Sequence, residues 1–294
     1  MSPDPNQPCL VCCAPTRQHL SIGQHRLLRC SACFTSFCFP QPSDQELSDF
    51  YSAFHLPDNV GGVYDSVESR MQADFPSKIR LVKQYDPNPR LLDVGCGKGF
   101  FVKACIEQAL DAEGIDLSLT AVEFARNKLR VTAHQGLIEN STTLREGYSS
   151  ITMWATIEHL PDPRKTLEAI ASRLLPNGFL HFDTGVGWDW LDRMLPGNVQ
   201  WYDPPQHLFV FSHRGLEILL EQAGFEIVRY DGCFERSLSR RIARIVRGFI
   251  FSASLRLVVK ACGMNTSMKS MTRFPLGNLQ SITAKKKERR MYRE

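Results

Sequence analysis

The segment LLDVGCGKGFF at residues 91–101 constrains this chain more than any other. Residues 90–94 read as a short buried strand and residues 99–109 as a helix. Between them, Gly95, Gly97 and Gly99 crowd into five positions. Glycine turns sharply and lets backbone approach a ligand without a Cβ in the way. A strand that passes through such a turn into a helix is one unit of an α/β sheet. Ligands of open α/β sheets sit outside the carboxyl ends of the strands, where this loop falls. The helix it opens offers unpaired N–H groups. The spacing is G-x-G-x-G, whereas the dinucleotide fingerprint is G-x-G-x-x-G. Asp116, in Gly-Ile-Asp-Leu-Ser at 114–118, lies 21 residues after Gly95 at the end of the next expected strand. A carboxylate there can accept both hydroxyls of a ribose.

The alternation continues. Strands are expected at 112–116, 131–134, 151–154, 179–183 and 225–230, with 279–284 as a seventh. Helices are expected at 118–128, 164–174 and 213–223. This order predicts a largely parallel sheet with helices on both faces. Ahead of it, Met71, Phe75, Ile79 and Val82 recur at helical steps across 66–85, and Asp-Pro-Asn-Pro at 86–89 ends that helix. Two stretches break the alternation. Residues 188–211 are rich in Trp, Tyr and Pro, and residues 237–263 form a basic amphipathic pattern.

Together these segments resemble the class I S-adenosyl-L-methionine (SAM)-dependent methyltransferases. LLDVGCGKGFF with GIDLS looks like their first two motifs. ITMWATIEHLPDP at 151–163 is similar to the fourth-strand motif of ubiquinone-type O-methyltransferases. PPQHLFVFS at 204–212 and LGNLQSITAK at 276–285 resemble later segments of relatives from glycan and natural-product pathways. The likeness covers roughly residues 43–232 and the last strand. It implies an α/β fold, a seven-stranded Rossmann-like sheet with six parallel strands and one reversed. It also implies SAM as cofactor, held by Asp93, Gly95, Gly97, Gly99, Asp116 and Leu117. An oxygen acceptor must lose a proton, and His159 and His207 are the candidate bases. Trp154, Trp201 and Tyr202 could wall the pocket or serve as packing. Some relatives hold a divalent ion with Glu-x-x-Glu-His. Ala155 replaces the first Glu here, which leaves Glu158 and His159, and no catalytic metal is expected. Ser149 also stands where relatives often carry an acid.

Six of the ten cysteines fall within the first 38 residues. Cys9-x-x-Cys12 and Cys30-x-x-Cys33, separated by 17 residues, have the spacing of a tetrahedral zinc ribbon. Cys13, Cys38, His19 and His25 are the alternative ligands, and the zinc is expected to be structural. The expected organisation is a zinc-ribbon-like module at 1–40, a helical linker at 41–89 and the methyltransferase domain at 90–294. That domain carries a lid at 188–212 and a basic helical insertion at 233–275.

The stretch after residue 235 holds 15 of the 35 basic residues and 2 of the 31 acidic ones. A basic tail on an acidic body points to peripheral contact with an anionic membrane or a lipid-linked acceptor; a solvated cap helix is the alternative. With neither a secretory pattern nor a long apolar run, the expected location is cytoplasmic. The function expected is methyl transfer to an oxygen of a small-molecule, glycan or lipid-linked acceptor. RNA methylation and a non-catalytic SAM-binding role are the alternatives. Against nucleic acid, the cysteine module carries only Arg17, Arg26 and Arg29, and no Asn-Pro-Pro-Tyr-like motif follows the fourth strand.

Overall fold

The structure, a computed structural model, describes residues 7–43, 45–47, 63–188, 192–193, 201–233 and 279–288. The basic insertion expected beyond Cys233, the last basic residues and much of the expected lid lie outside the described residues. No helix among the described residues is long and apolar enough to cross a membrane.

The chain starts with β1 (Thr16–Ile22), β2 (His25–Cys30) and β3 (Ser36–Cys38), then α1 (Val63–Tyr85). The main sheet begins with β4 (Arg90–Val94), α2 (Phe100–Glu107), β5 (Asp111–Asp116) and α3 (Leu119–Phe124), which runs into a π turn at Ala125–Leu129. There follow β6 (Ala133–Gln135), β7 (Tyr148–Trp154), α4 (Pro163–Arg173) and β8 (Leu174–Gly185). The last elements are β9 (Phe209–Val210), α5 (His213–Gln222), β10 (Phe225–Cys233) and β11 (Leu279–Lys286).

Seven strands form one sheet in the order β10-β11-β8-β7-β4-β5-β6. β11 runs antiparallel to both β8 and β10, while β4 through β8 pair in parallel. The six-plus-one arrangement implied by the resemblance is therefore the one found. Apolar runs explain the central strands: Leu91, Leu92, Ile151, Leu180, Phe182 and Ile282 are all fully buried. α1 turns Phe75, Ile79 and Val82 inward, and Phe75 meets Phe101 of α2 edge-on at 5.3 Å. Caps define the later helices. Ser118 accepts from Ala121 N–H, Asp162 from Lys165 N–H and Ser212 from Gly215 N–H.

The cysteine-rich segment differs from a free-standing module. Its antiparallel sheet has the order β1-β2-β3-β9, so the fourth strand comes from the segment after β8. Val11, Cys33 and Phe37 share one apolar cluster with Leu208, Phe209, Phe211 and Leu216. Three short strands bury too little surface to stand alone, and the main domain supplies the missing face.

Candidate functional site

At the end of β4 the chain turns through Gly95, Gly97 and Gly99 at φ of +74°, +51° and +80°. Any other residue is strained in that backbone region. Space is closed as well: a Cβ on Gly95 would stand 2.5 Å from the Thr156 side chain, and one on Gly99 2.9 Å from Ala125 Cβ. Gly95 N–H donates to the Ile115 carbonyl at 2.8 Å, and Gly99 N–H to that of Cys96 at 2.9 Å. Asp116, ending β5, accepts from Gly97 N–H through Oδ2 and from Ser118 N–H through Oδ1, both at 2.8 Å. The loop and the acid that the spacing paired are one hydrogen-bonded unit.

Beside it, Leu117, Leu119 and Leu137 are exposed at the carboxyl ends of β5 and β6. Apolar surface next to a carboxylate and glycine backbone is what a nucleoside needs, so the residues present fit SAM. Asp93 lies in β4, just before the loop. It is 3% exposed and accepts from the Thr152 hydroxyl at 2.6 Å, tying β4 to β7. Burial pushes its carboxyl up to about 7.

The loop after β7 is anchored from two sides. Ala155 is left-handed at φ +47°, and its N–H reaches the Asp183 carboxylate at 2.8 Å. The other Asp183 oxygen pairs with Lys78 Nζ of α1 at 2.9 Å, and that ammonium lies 4.4 Å from the centre of the Trp154 ring. Sequence reading singled out neither Lys78 nor Asp183. Their contact crosses half the domain and leaves no local pattern.

A 3-10 turn at Ile157–His159 then brings His159 to His207 of the segment before β9, with ring centres 4.9 Å apart. His159 Nδ1–H donates to the Gln206 carbonyl at 2.6 Å, and His207 Nδ1–H to that of Trp201 at 3.0 Å. A carbonyl can only accept, so Nδ1 is the donor in each of these two bonds, and the His159 ring also meets the Ala155 carbonyl. Glu158 is 3% exposed and its Oε2 has no hydrogen-bond partner among the described residues. Burial pushes this carboxyl up to about 8. Donor atoms of Glu158, His159 and His207 all lie within 4.8 Å of one another. The two metal-ligand types counted in the sequence are thus a cluster of three in the fold. Of the aromatic candidates, Trp154 and Tyr202 are buried packing residues, and Trp201 lies 6.0 Å from the His207 ring.

The four predicted cysteines also converge. Cys9 and Cys33 sulfurs are 3.6 Å apart, those of Cys12 and Cys30 3.4 Å, and all four lie within 4.8 Å. Four thiolates around one zinc at ~2.3 Å have sulfurs ~3.8 Å apart, so the donor set fits that ion. Cys13 and Cys38 stand outside the group, as do His19 and His25.

Comparison with known proteins agrees with this geometry. A family model described as a methyltransferase domain matches residues 67–230. A ubiquinone biosynthesis O-methyltransferase of Histophilus somni (strain 2336) is 26% identical over 152 residues, 44% of this chain and 64% of that protein. The chain thus spans less than two thirds of that relative's length. Among solved structures, the [4+2]-cyclase SpnF matches with a TM-score of 0.55 and 18% identity, over 84% of this chain and 98% of that one. The 1,6-didemethyltoxoflavin-N1-methyltransferase of Burkholderia thailandensis matches with a TM-score of 0.52 and 15% identity, over 92% of this chain and 100% of that one. At such identities the structural likeness speaks for the fold alone. The family model covers more than half of the chain, and with the seven-stranded sheet and its glycine loop it identifies this protein as a member of the class I SAM-dependent methyltransferase family.

Proposed function

We propose that the chain transfers a methyl group from SAM to an oxygen of a small-molecule, glycan-linked or lipid-linked acceptor, with His159 and His207 as the basic pair. The observation that carries this reading is the meeting of the two imidazoles, 4.9 Å apart, beside a turn that packs on the glycine loop through Thr156. When bound, SAM supplies a methyl group activated by a positively charged sulfur. The protein's share is position and water exclusion. The loop backbone admits the ligand, Asp116 receives the ribose hydroxyls and Leu117 covers the base. The acceptor hydroxyl loses its proton to one of the two histidines. Burial holds His159 below its ordinary 6.5, so the ring is neutral and basic at neutral pH. Similarity to a ubiquinone biosynthesis O-methyltransferase supports oxygen as the accepting atom. Cys9, Cys12, Cys30 and Cys33 hold a structural zinc in this reading.

The test is methyl-labelled SAM incubated with fractionated extract and the full chain or its His159→Ala and His207→Ala variants. Label is expected in an ether or ester product, with turnover lost by about a hundredfold in at least one variant. SAM affinity stays within about threefold of the parent. The acid limb of kcat/KM falls below pH 6.5, the side on which the buried ring charges. Near-normal turnover in both variants would remove the histidines from the chemistry. A rate that depends on added Mg²⁺ would assign the Glu158, His159 and His207 cluster to an ion instead.

A further inference from the structure

We propose that the four-cysteine module is the mount of residues 201–212, so that metal in the module and the buried Arg29 together position His207. The inference rests on the reading that His207 faces the acceptor. Three separate ties carry it.

The first tie is a strand. β3 pairs with β9 through Ser36 with Val210 and Phe37 with Phe209. Cys38 N–H donates to the Leu208 carbonyl at 2.8 Å, and Leu208 N–H donates to the Glu158 carbonyl at 2.8 Å. The residue after His207 is therefore bonded to the module on one side and to the His159 turn on the other. The second tie is a zinc knuckle. The Ser212 hydroxyl donates to the Cys33 carbonyl, and its oxygen accepts Gly215 N–H at 2.9 Å. The Thr35 hydroxyl sits so close to Gly215 that a Cβ there has no room.

The third tie is charge. Arg29 of β2 is 3% exposed and pairs through Nη2 with Asp192 Oδ2 at 2.5 Å. The same guanidinium donates to the Tyr202 hydroxyl, and its Nε to Ser36 Oγ at 2.9 Å. The Tyr202 hydroxyl donates to Asp192 at 3.0 Å, as does Trp188 N–H at 2.9 Å. The Trp188 ring in turn stacks on Phe34, the residue after Cys33, at 4.7 Å. Removing one partner of a buried ion pair leaves the other charge uncompensated, so this junction holds its geometry firmly.

All three ties leave from residues 29–38, the stretch that carries the second cysteine pair. In a module this small, metal binding supplies the folding free energy. Loss of the ion releases Arg29, Phe34, Thr35, Ser36 and Phe37 as one group. The glycine loop takes its bonds from Ile115 and Asp116 instead, and is untouched. Zinc thereby controls the acceptor side of the site and leaves the SAM side alone, and Arg29 is a positioning residue.

The experiment uses the full chain, zinc-loaded and zinc-stripped, with metal content measured. Amide hydrogen exchange is read segment by segment and SAM affinity by calorimetry. Stripping is expected to speed exchange in residues 201–212 by about tenfold or more, with residues 91–116 within about twofold. SAM affinity is expected to hold within about threefold. Arg29→Gln in the zinc-loaded chain is expected to speed exchange in 201–212 while zinc is retained, and Arg29→Lys to restore most of the protection. Metal-free protein on purification, or exchange in 201–212 indifferent to stripping, overturns the proposal. If the stripped chain unfolds throughout, Arg29→Gln decides: unchanged exchange in 201–212 overturns it. None of these readouts needs an acceptor, so failure of the methyl-transfer reading is seen separately.

Discussion

His181 shows how burial sets the charge of one side chain. It lies in β8, fully buried, with Nδ1 at 3.0 Å from the Thr283 hydroxyl. Burial pushes its pKa down to about 3 from the ordinary 6.5. The unfolded chain therefore takes up this proton first as pH falls. Stability from the neutral ring is complete above pH 6.5 and is lost progressively toward pH 3. Denaturant titrations between pH ~7 and ~4 should show a shallower acid loss for His181→Gln than for the parent; equal slopes would contradict this. Residues with a local signature could be read from the sequence: three glycines near an acid, or paired cysteines. Residues whose partner is distant could not. Arg29 meets Asp192 across 163 positions, and no spacing announces that.

Among the elements, the glycine loop is the one most tightly specified by its residues. Gly95 has φ of +74° and no room for a Cβ beside Thr156. Gly95→Ala should therefore cost about 1–2 kcal/mol from backbone strain alone. Thermal unfolding should register that cost, and SAM affinity should fall by about tenfold or more, since the loop must shift. Parent-like affinity in this variant would show that the ligand binds elsewhere. The strands of the main sheet were legible because apolar runs between turn signals recur at regular intervals. β8 proved longer than its apolar core, starting at Leu174 where 179 was expected, because pairing with β7 extends it. β9 has two residues and no periodicity. Only its partner β3 makes it a strand, so the join between the cysteine module and the main domain could not be read in advance.

At the scale of the molecule, the two sides of the site have different origins. The SAM side is local, with the loop, its helix and Asp116 all inside residues 95–116. The acceptor side, as proposed, draws on α1, the β7 loop, residues 201–212 and the cysteine module behind them. This division explains why the cofactor was legible in the sequence while the acceptor was not: identity of the acceptor depends on surfaces brought together only by folding. The fold alone does not fix the reaction either, since a [4+2]-cyclase shares it. If the glycine loop and Asp116 hold SAM, calorimetric titration of SAM into the full chain and into its Asp116→Ala variant will separate the two proteins. Saturable one-to-one binding is predicted for the parent, weakened about tenfold or more in Asp116→Ala. Absence of binding to the parent, or equal affinity in both proteins, would contradict it.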